Sequence, residues 1–178
     1  MENFNIPEKQ LSETAKQNMV DGAVVQSDKE KNSMICEALN NALATELVCM
    51  MRYRQHYFAC EGINCDVVSP EFLEHANQEL EHAFKIAARI SQLGGKADFN
   101  PDTLSARSHA EYKTADDLSG MVKDDLEAER MAIQVYKKLI KWVGDYDPTT
   151  RRLLEDILAQ EEEHADEMAE YYKDLNTH

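Results

Sequence analysis

The chain has 178 residues and a formal charge of −15, with 34 Asp and Glu against 19 Lys and Arg, so it is the size of one domain and carries the wrong sign for a nucleic-acid surface. Its longest uninterrupted apolar run is Leu47 to Met51 and no basic stretch leads into an apolar one at the start, so neither a membrane span nor a signal peptide is expected, and the expected compartment is the cytoplasm. Six Gly, four Pro and long segments of helical periodicity point to an all-α protein.

Residues 1–27 show no sustained periodicity, are broken by Pro7 and Gly22, and read as an arm with one short helix at most; residues 28–178 read as the folded domain. Ser27 with Glu30 has the spacing of a capping box, and a first long helix is predicted from there to about Cys60. Ser69-Pro70-Glu71 reads as the start of a second, ending at Leu93 before Gly94-Gly95. Residues 96–114, with Pro101 and His109, form one long connection. Thr114 followed by Asp117 starts a third helix that stops at Gly144, and Asp147 caps a fourth from Pro148 to about Leu175. The four cysteines, Cys36, Cys49, Cys60 and Cys65, lack the spacing of a zinc site and read as free thiols; a bridge across the short gap from Cys60 to Cys65 would be a loop feature.

Helices of about 25 residues are roughly 38 Å long, and a connection of about 20 residues spans that distance at roughly 3.3 Å each. The second and third helices can therefore run parallel, giving a four-helix bundle with one long crossover between them.

The two halves repeat one another. Glu46 is followed seven residues on by Tyr53, and later come Glu79 and His82; Glu129 is followed seven on by Tyr136, and later come Glu161 and His164. Helical phase turns each of these inward. Glu46 shares its face with Leu39, Leu43, Met50 and Tyr53, Glu79 and His82 with Phe72, Ile86 and Ile90, Glu129 with Val122, Leu126, Ile133 and Tyr136, and Glu161 and His164 with Leu154, Ile157 and Met168. Glu127, Glu162 and Glu163 face water.

An acidic run on a helix is usually a solvated face, and a lone inward glutamate is more often a structural carboxylate bonded to Arg or Tyr. Here Arg52, Arg54 and Arg89 are not clearly inward, so four buried glutamates and two histidines have no matching cation. Metal ions resolve this, and carboxylate oxygens with one imidazole per ion suit iron or manganese. Tyr53 and Tyr136 are expected to hydrogen-bond the carboxylates. His75 is read as a helix-surface residue or one supporting the ligands, with a smaller claim to reach the site from its rim. His56 and His109 read as structural or exposed, and Met50, Met51, Met121, Met131 and Met168 as core filler.

With Leu39-Asn40, Glu46-Leu47-Val48, Tyr53, Glu79-Leu80-Glu81-His82-Ala83, Asp125-Leu126, Glu129 and Glu161-Glu162-Glu163-His164, residues 34 to 172 resemble the ferritin-like superfamily, in detail its bacterioferritin and Dps-like (DNA protection during starvation) miniferritin branch. The resemblance implies a ferroxidase centre of two Fe ions per subunit, with Glu79 and Glu161 bridging, Glu46 and Glu129 terminal, and His82 and His164 on one iron each; manganese or zinc could stand there in a crystal. Leu80 occupies the place of the haem-ligating Met of bacterioferritins, so no haem is expected, and Ile86 and Glu167 stand where an aromatic relay would. Only 14 residues follow His164, too few for a fifth helix, which favours a Dps-like homododecamer over a 24-subunit shell. No cysteine follows Cys65, where a thiol-bearing subgroup carries its own. The implied function is oxidation of Fe(II) by hydrogen peroxide or dioxygen and storage of Fe(III) in a cage, protecting against oxidative damage. A rubrerythrin-like di-metal peroxidase or oxygenase without storage, and a DNA-compacting Dps-type protein, are the alternatives; with so acidic a chain, direct DNA binding is not expected.

Overall fold

A computed structural model of the protein describes residues 5–17, 19–25 and 28–177. Among these the chain is all-helical: α1 (Glu8–Ala15), α2 (Lys29–Ala59), α3 (Cys65–Gln92), α4 (Leu104–Arg107), α5 (Leu118–Val143) and α6 (Pro148–Asn176), with 3-10 turns at Met19–Asp21 and Pro101–Thr103. Beside the four long helices stand two short ones, in the two stretches where the sequence left room for them. The additions are short, α1 in the N-terminal stretch and α4 in the long connection, and no residue of α1 is buried.

Short polar side chains start the long helices by satisfying amides that have no helical acceptor. Ser27, the expected partner of Glu30, lies outside the described residues; the neighbouring Asp28 caps α2, accepting from the amides of Glu30 at 3.0 Å and Lys31 at 3.2 Å. Asp117 accepts from the amide of Gly120, so α5 begins there and not at Thr114. Asp147 accepts from the amide of Thr150 at the start of α6. α5 ends at Gly144, whose φ of 55° a side chain would resist.

α3 departs most from expectation. It begins at Cys65, and Pro70, read as the first-turn residue, lies inside it. At the sixth helical position Pro70 cannot donate to the carbonyl of Asp66 and crowds it, at a cost of about 3 kcal/mol. Burial of Cys65 and Val68 favours the extra turn, and Val68 packs in one cluster with Phe72. Cys60 and Cys65 are joined by a disulfide between the end of α2 and the start of α3, so the reading of four free thiols is corrected; Cys36 and Cys49 are free and buried.

Contacts fix the directions of the helices. α2 meets α3 through Glu46 with His82 and Tyr53 with His75, so these two are antiparallel. α2 meets α5 through Tyr53 with Glu129 and Glu46 with Tyr136, again antiparallel, so α3 and α5 run the same way. The connection between them climbs along α2: the Asn40 amide donates to the carbonyl of Lys96, Thr45 pairs with His109, and Arg52 donates to the carbonyl of Glu111. α3 also packs on α6, and α5 on α6.

Two large apolar clusters, with a small third of Cys49, Ala110 and Ala128, form the core among the described residues. One holds Leu39, Leu43, Ile86, Ile90, Leu154 and Ile157, the other Tyr53, Phe72, Met121, Val122 and Met168. Each fully buried Leu or Ile contributes about 1.5–3 kcal/mol relative to exposure. The Met stripe divides: Met121 and Met168 are buried, Met50 partly so, but Met51 and Met131 are exposed and fill no core.

Candidate metal centre

Four long helices each bring one buried carboxylate to a common centre, Glu46 from α2, Glu79 from α3, Glu129 from α5 and Glu161 from α6, every one about 1% exposed. His82 and His164 join them from α3 and α6, equally buried. Helical phase was the right guide, because an i, i+3 pair on one face places both side chains at the same depth.

The six residues form two overlapping sets. Glu46, Glu79, His82 and Glu161 offer ligand atoms that all lie within 4.8 Å of one another, and so do Glu79, Glu129, Glu161 and His164. Glu79 and Glu161 belong to both. The tyrosines cross between halves: the Tyr53 hydroxyl donates to Glu129 Oε1 at 2.5 Å and the Tyr136 hydroxyl to Glu46 Oε1 at 2.5 Å.

The histidines are held from behind by two glutamines that sequence reading did not single out. His82 Nε2 lies 2.9 Å from the Gln160 amide oxygen, and His164 Nε2 lies 2.6 Å from that of Gln78. Each Nε2–H donates outward, which turns Nδ1 of both rings to the carboxylates. The signal was in the chain: Gln78-Glu79-Leu80-Glu81-His82 and Gln160-Glu161-Glu162-Glu163-His164 share a glutamine one position before the motif.

Charge at the centre is poorly compensated by protein alone. Burial, then the neighbouring Glu161, Glu46 and Glu129, pushes the Glu79 carboxyl well above its usual range. Burial followed by Glu46 and Glu129 does the same to Glu161. Burial also acts most strongly to raise Glu46, but the hydrogen bond and charge of His82, with the bonds from Glu79 and Tyr136, together outweigh it and leave Glu46 lowered. For His82, burial favours the neutral ring and the Glu46 contact reverses the balance, raising it; His164 is lowered by burial. Glu161 Oε1 is 3.0 Å from His82 Nδ1 but out of line for a hydrogen bond. Five buried side-chain atoms among the described residues have no hydrogen-bond partner, and Glu79 Oε1, Glu129 Oε2, Glu161 Oε1 and His164 Nδ1 all lie in this centre. Unpartnered carboxylate oxygens and an imidazole nitrogen converging in a buried space are the donor set that a pair of divalent ions satisfies.

The expectation that no cation faces inward needs correction. Arg52 is 1% exposed, its Nε 2.7 Å from Asp125 Oδ1, and His56 Nδ1 is 2.8 Å from Asp125 Oδ2, with both partners fully buried. Arg52 therefore serves Asp125 and leaves the four glutamates without an arginine or lysine partner among the described residues, with only the imidazoles beside them. His56 is structural in this network, so its reading as exposed is dropped. His109 is exposed, as read, with Nδ1 3.0 Å from the Thr45 hydroxyl. His75 is not on the surface: at 1% exposure it stacks on His164 with ring centroids 4.1 Å apart and places Nδ1 3.1 Å from the Tyr53 hydroxyl.

A helical protein with paired carboxylate–histidine sets at its centre is the class that fold and site define together. The ferritin-like domain model matches residues 36–177. The chain is 30% identical over 142 residues to the nutrient stress-induced DNA-binding protein of Synechococcus sp., covering 78% of this chain and 81% of that protein, and 24% identical to a bacterioferritin of Desulfovibrio desulfuricans over 84% and 78%. Among solved structures, the dodecameric thioferritin of Bacteroides fragilis, a bacterioferritin-related protein, superposes with a TM-score of 0.78 at 30% identity, covering 81% of this chain and 87% of that one. The chain belongs to the ferritin-like family, in its bacterioferritin-related and Dps-like part. Among the described residues no helix is long and apolar enough to cross a membrane.

Proposed function

We propose that this chain is a di-iron ferroxidase that oxidises Fe(II) and stores the product as Fe(III). The observation that carries the reading is the pair of four-residue sets sharing Glu79 and Glu161. In this reading Glu79 and Glu161 bridge two irons, Glu46 and Glu129 are terminal ligands, and His82 and His164 bind one iron each through Nδ1. Two Fe(II) held side by side deliver two electrons to one hydrogen peroxide, which takes up two protons and leaves as two waters; dioxygen is the alternative oxidant. Paired delivery suppresses release of one-electron oxygen radicals. Tyr53 and Tyr136 hold the terminal carboxylates in orientation, and Gln78 and Gln160 hold the imidazoles. The acidic surface draws cations in.

The four long helices act as one ferritin-like bundle with a single crossover, following an N-terminal arm, in a cytoplasmic protein. Assembly into twelve subunits is favoured by the likeness to the Bacteroides thioferritin, which is dodecameric. The test is native size and iron content before and after aerobic or peroxide-driven loading. A cage that retains hundreds of irons supports storage, whereas a small assembly holding two per chain supports a non-storage di-metal oxidase. Glu46→Ala with His82→Ala should remove rapid oxidation in either case.

A second reading, DNA binding, is favoured by the name of the Synechococcus relative. The net charge of −15 opposes it. A gel shift at low salt without Mg2+ should show no retardation; clear retardation would establish the second reading.

A further inference from the structure

The two halves of the centre are alike at the ligands and unlike just outside them. When Glu79 and His82 are laid on Glu161 and His164, His75 falls on Ile157, Glu71 on Leu153 and Glu167 on Lys85. One half thus carries three metal-ligating side chains where the other carries two aliphatic ones and a cation. Glu71 and His75 are one turn apart on α3, Glu167 faces them from α6, and all three offer ligand atoms within 4.8 Å of one another.

Proton accounting at His75 points to a cation in this set. The Tyr53 hydroxyl has one proton and donates it to Glu129, so towards His75 it accepts from Nδ1–H. In the neutral ring Nε2 is then a bare lone pair, and it lies 2.7 Å from Glu167 Oε2. Two acceptors at that distance need a positive charge between them. Glu167 is itself crowded by the carboxylates of Glu71, Glu163, Glu74 and Glu170. On the inner side His75 belongs to a further set within the same 4.8 Å limit, with Glu129 and His164. Glu129 Oε2 and His164 Nδ1 are buried there without partners.

We propose that Glu71, His75 and Glu167 bind a third divalent cation at the mouth of the centre, and that His75 passes it inward to Glu129 and His164. The passing rests on the ferroxidase reading; the binding does not. Glu167 is 43% exposed on its side chain, so the set opens to solvent at one end and to the buried ligands at the other. Crystals of the full chain soaked in Co2+ and measured at the cobalt edge test this directly. The expected result is an anomalous peak bounded by Glu71, His75 and Glu167, separate from those among the inner ligands. Glu71→Gln with Glu167→Gln changes two partly exposed side chains without changing their shape. It should erase the outer peak, leave the inner ones, and slow the rapid Fe(II) oxidation phase about tenfold at limiting Fe(II), the lower end of what a focusing rim of charge gives, with its amplitude unchanged. No outer peak at Co2+ concentrations that fill the inner positions, or an outer peak that survives both substitutions, overturns the site and leaves His75 bridged to Glu167 by a proton. An outer peak with unchanged oxidation kinetics overturns the passage. An outer peak with empty inner positions supports the site while refuting the ferroxidase reading.

Discussion

Two groups of buried charge lie within a few turns of each other and are settled in opposite ways. Asp125 meets Arg52 and His56 in an internally paired network, with Arg52 also reaching the Glu111 carbonyl and the Cys49 thiol. Glu46, Glu79, Glu129 and Glu161 meet two imidazoles, two phenols and one another. The first group pairs every charged oxygen and leaves a single buried atom, His56 Nε2, without a partner among the described residues. The second leaves four, three of them carboxylate oxygens, and the difference teaches that buried carboxylates mark a candidate metal centre by the partners they lack. The number of acids alone does not distinguish the groups.

The comparison breaks most visibly if one paired charge is removed. Asp125→Ala strands Arg52 in the interior and should cost about 3–5 kcal/mol in urea unfolding; a loss below about 1 kcal/mol would mean that the network is not closed. A divalent ion should stabilise the other group instead. At a hundred times its Kd, Co2+ should add about 2.7 kcal/mol per ion to the folded state, and Glu46→Ala with His82→Ala should abolish most of that gain. Gln78→Ala or Gln160→Ala should weaken metal binding about 10–100-fold by freeing the imidazole behind its ligand nitrogen, measured by titration calorimetry. Equal affinity in wild type and variant would reduce the glutamines to packing.

The last effect has an unusual sign. Folding raises the Glu79 and Glu161 carboxyls above their usual value of 4.5, so the metal-free folded chain holds protons that the unfolded chain has released. That stability is fully present below the unfolded value and is lost as pH rises through the raised ones, by at most about 1.4 kcal/mol per pH unit for each group. Chelator-treated protein should therefore lose stability as pH rises from 5 to 8, Glu79→Gln should flatten the slope, and Co2+ should reverse it. A metal-free stability that climbs with pH would show that these carboxyls are already ionised.

Much of the centre was legible because helical phase and an internal repeat act on the same residues. Glu129 was separable from Glu127 because its i−3, i+3 and i+4 neighbours Leu126, Ala132 and Ile133 are apolar whereas those of Glu127 are mostly charged, and the structure buries Glu129 while Glu127 pairs with Lys113 and Lys123 at the surface. Arg52 was missed because inward phase is hard to assign to a side chain long enough to bury either its stem or its charge, and its partner Asp125 comes from another helix. Gln78 and Gln160 were missed because a neutral amide raises no charge alarm; extending the repeat by one residue exposes them. The start of α3 was misplaced because Pro70 was read as a first-turn residue, whereas burial of Cys65 and Val68 beside the disulfide favours a longer helix that carries the proline in its second turn.

The central claim is that two irons are oxidised together at Glu46, Glu79, His82, Glu129, Glu161 and His164. Stopped-flow absorbance during anaerobic addition of Fe(II) followed by peroxide tests it most directly. The rapid phase should saturate at two Fe(II) per chain and one peroxide per two irons, and should vanish in Glu46→Ala with His82→Ala. A rapid phase that saturates at one iron per chain, or that persists in the double variant, contradicts the account.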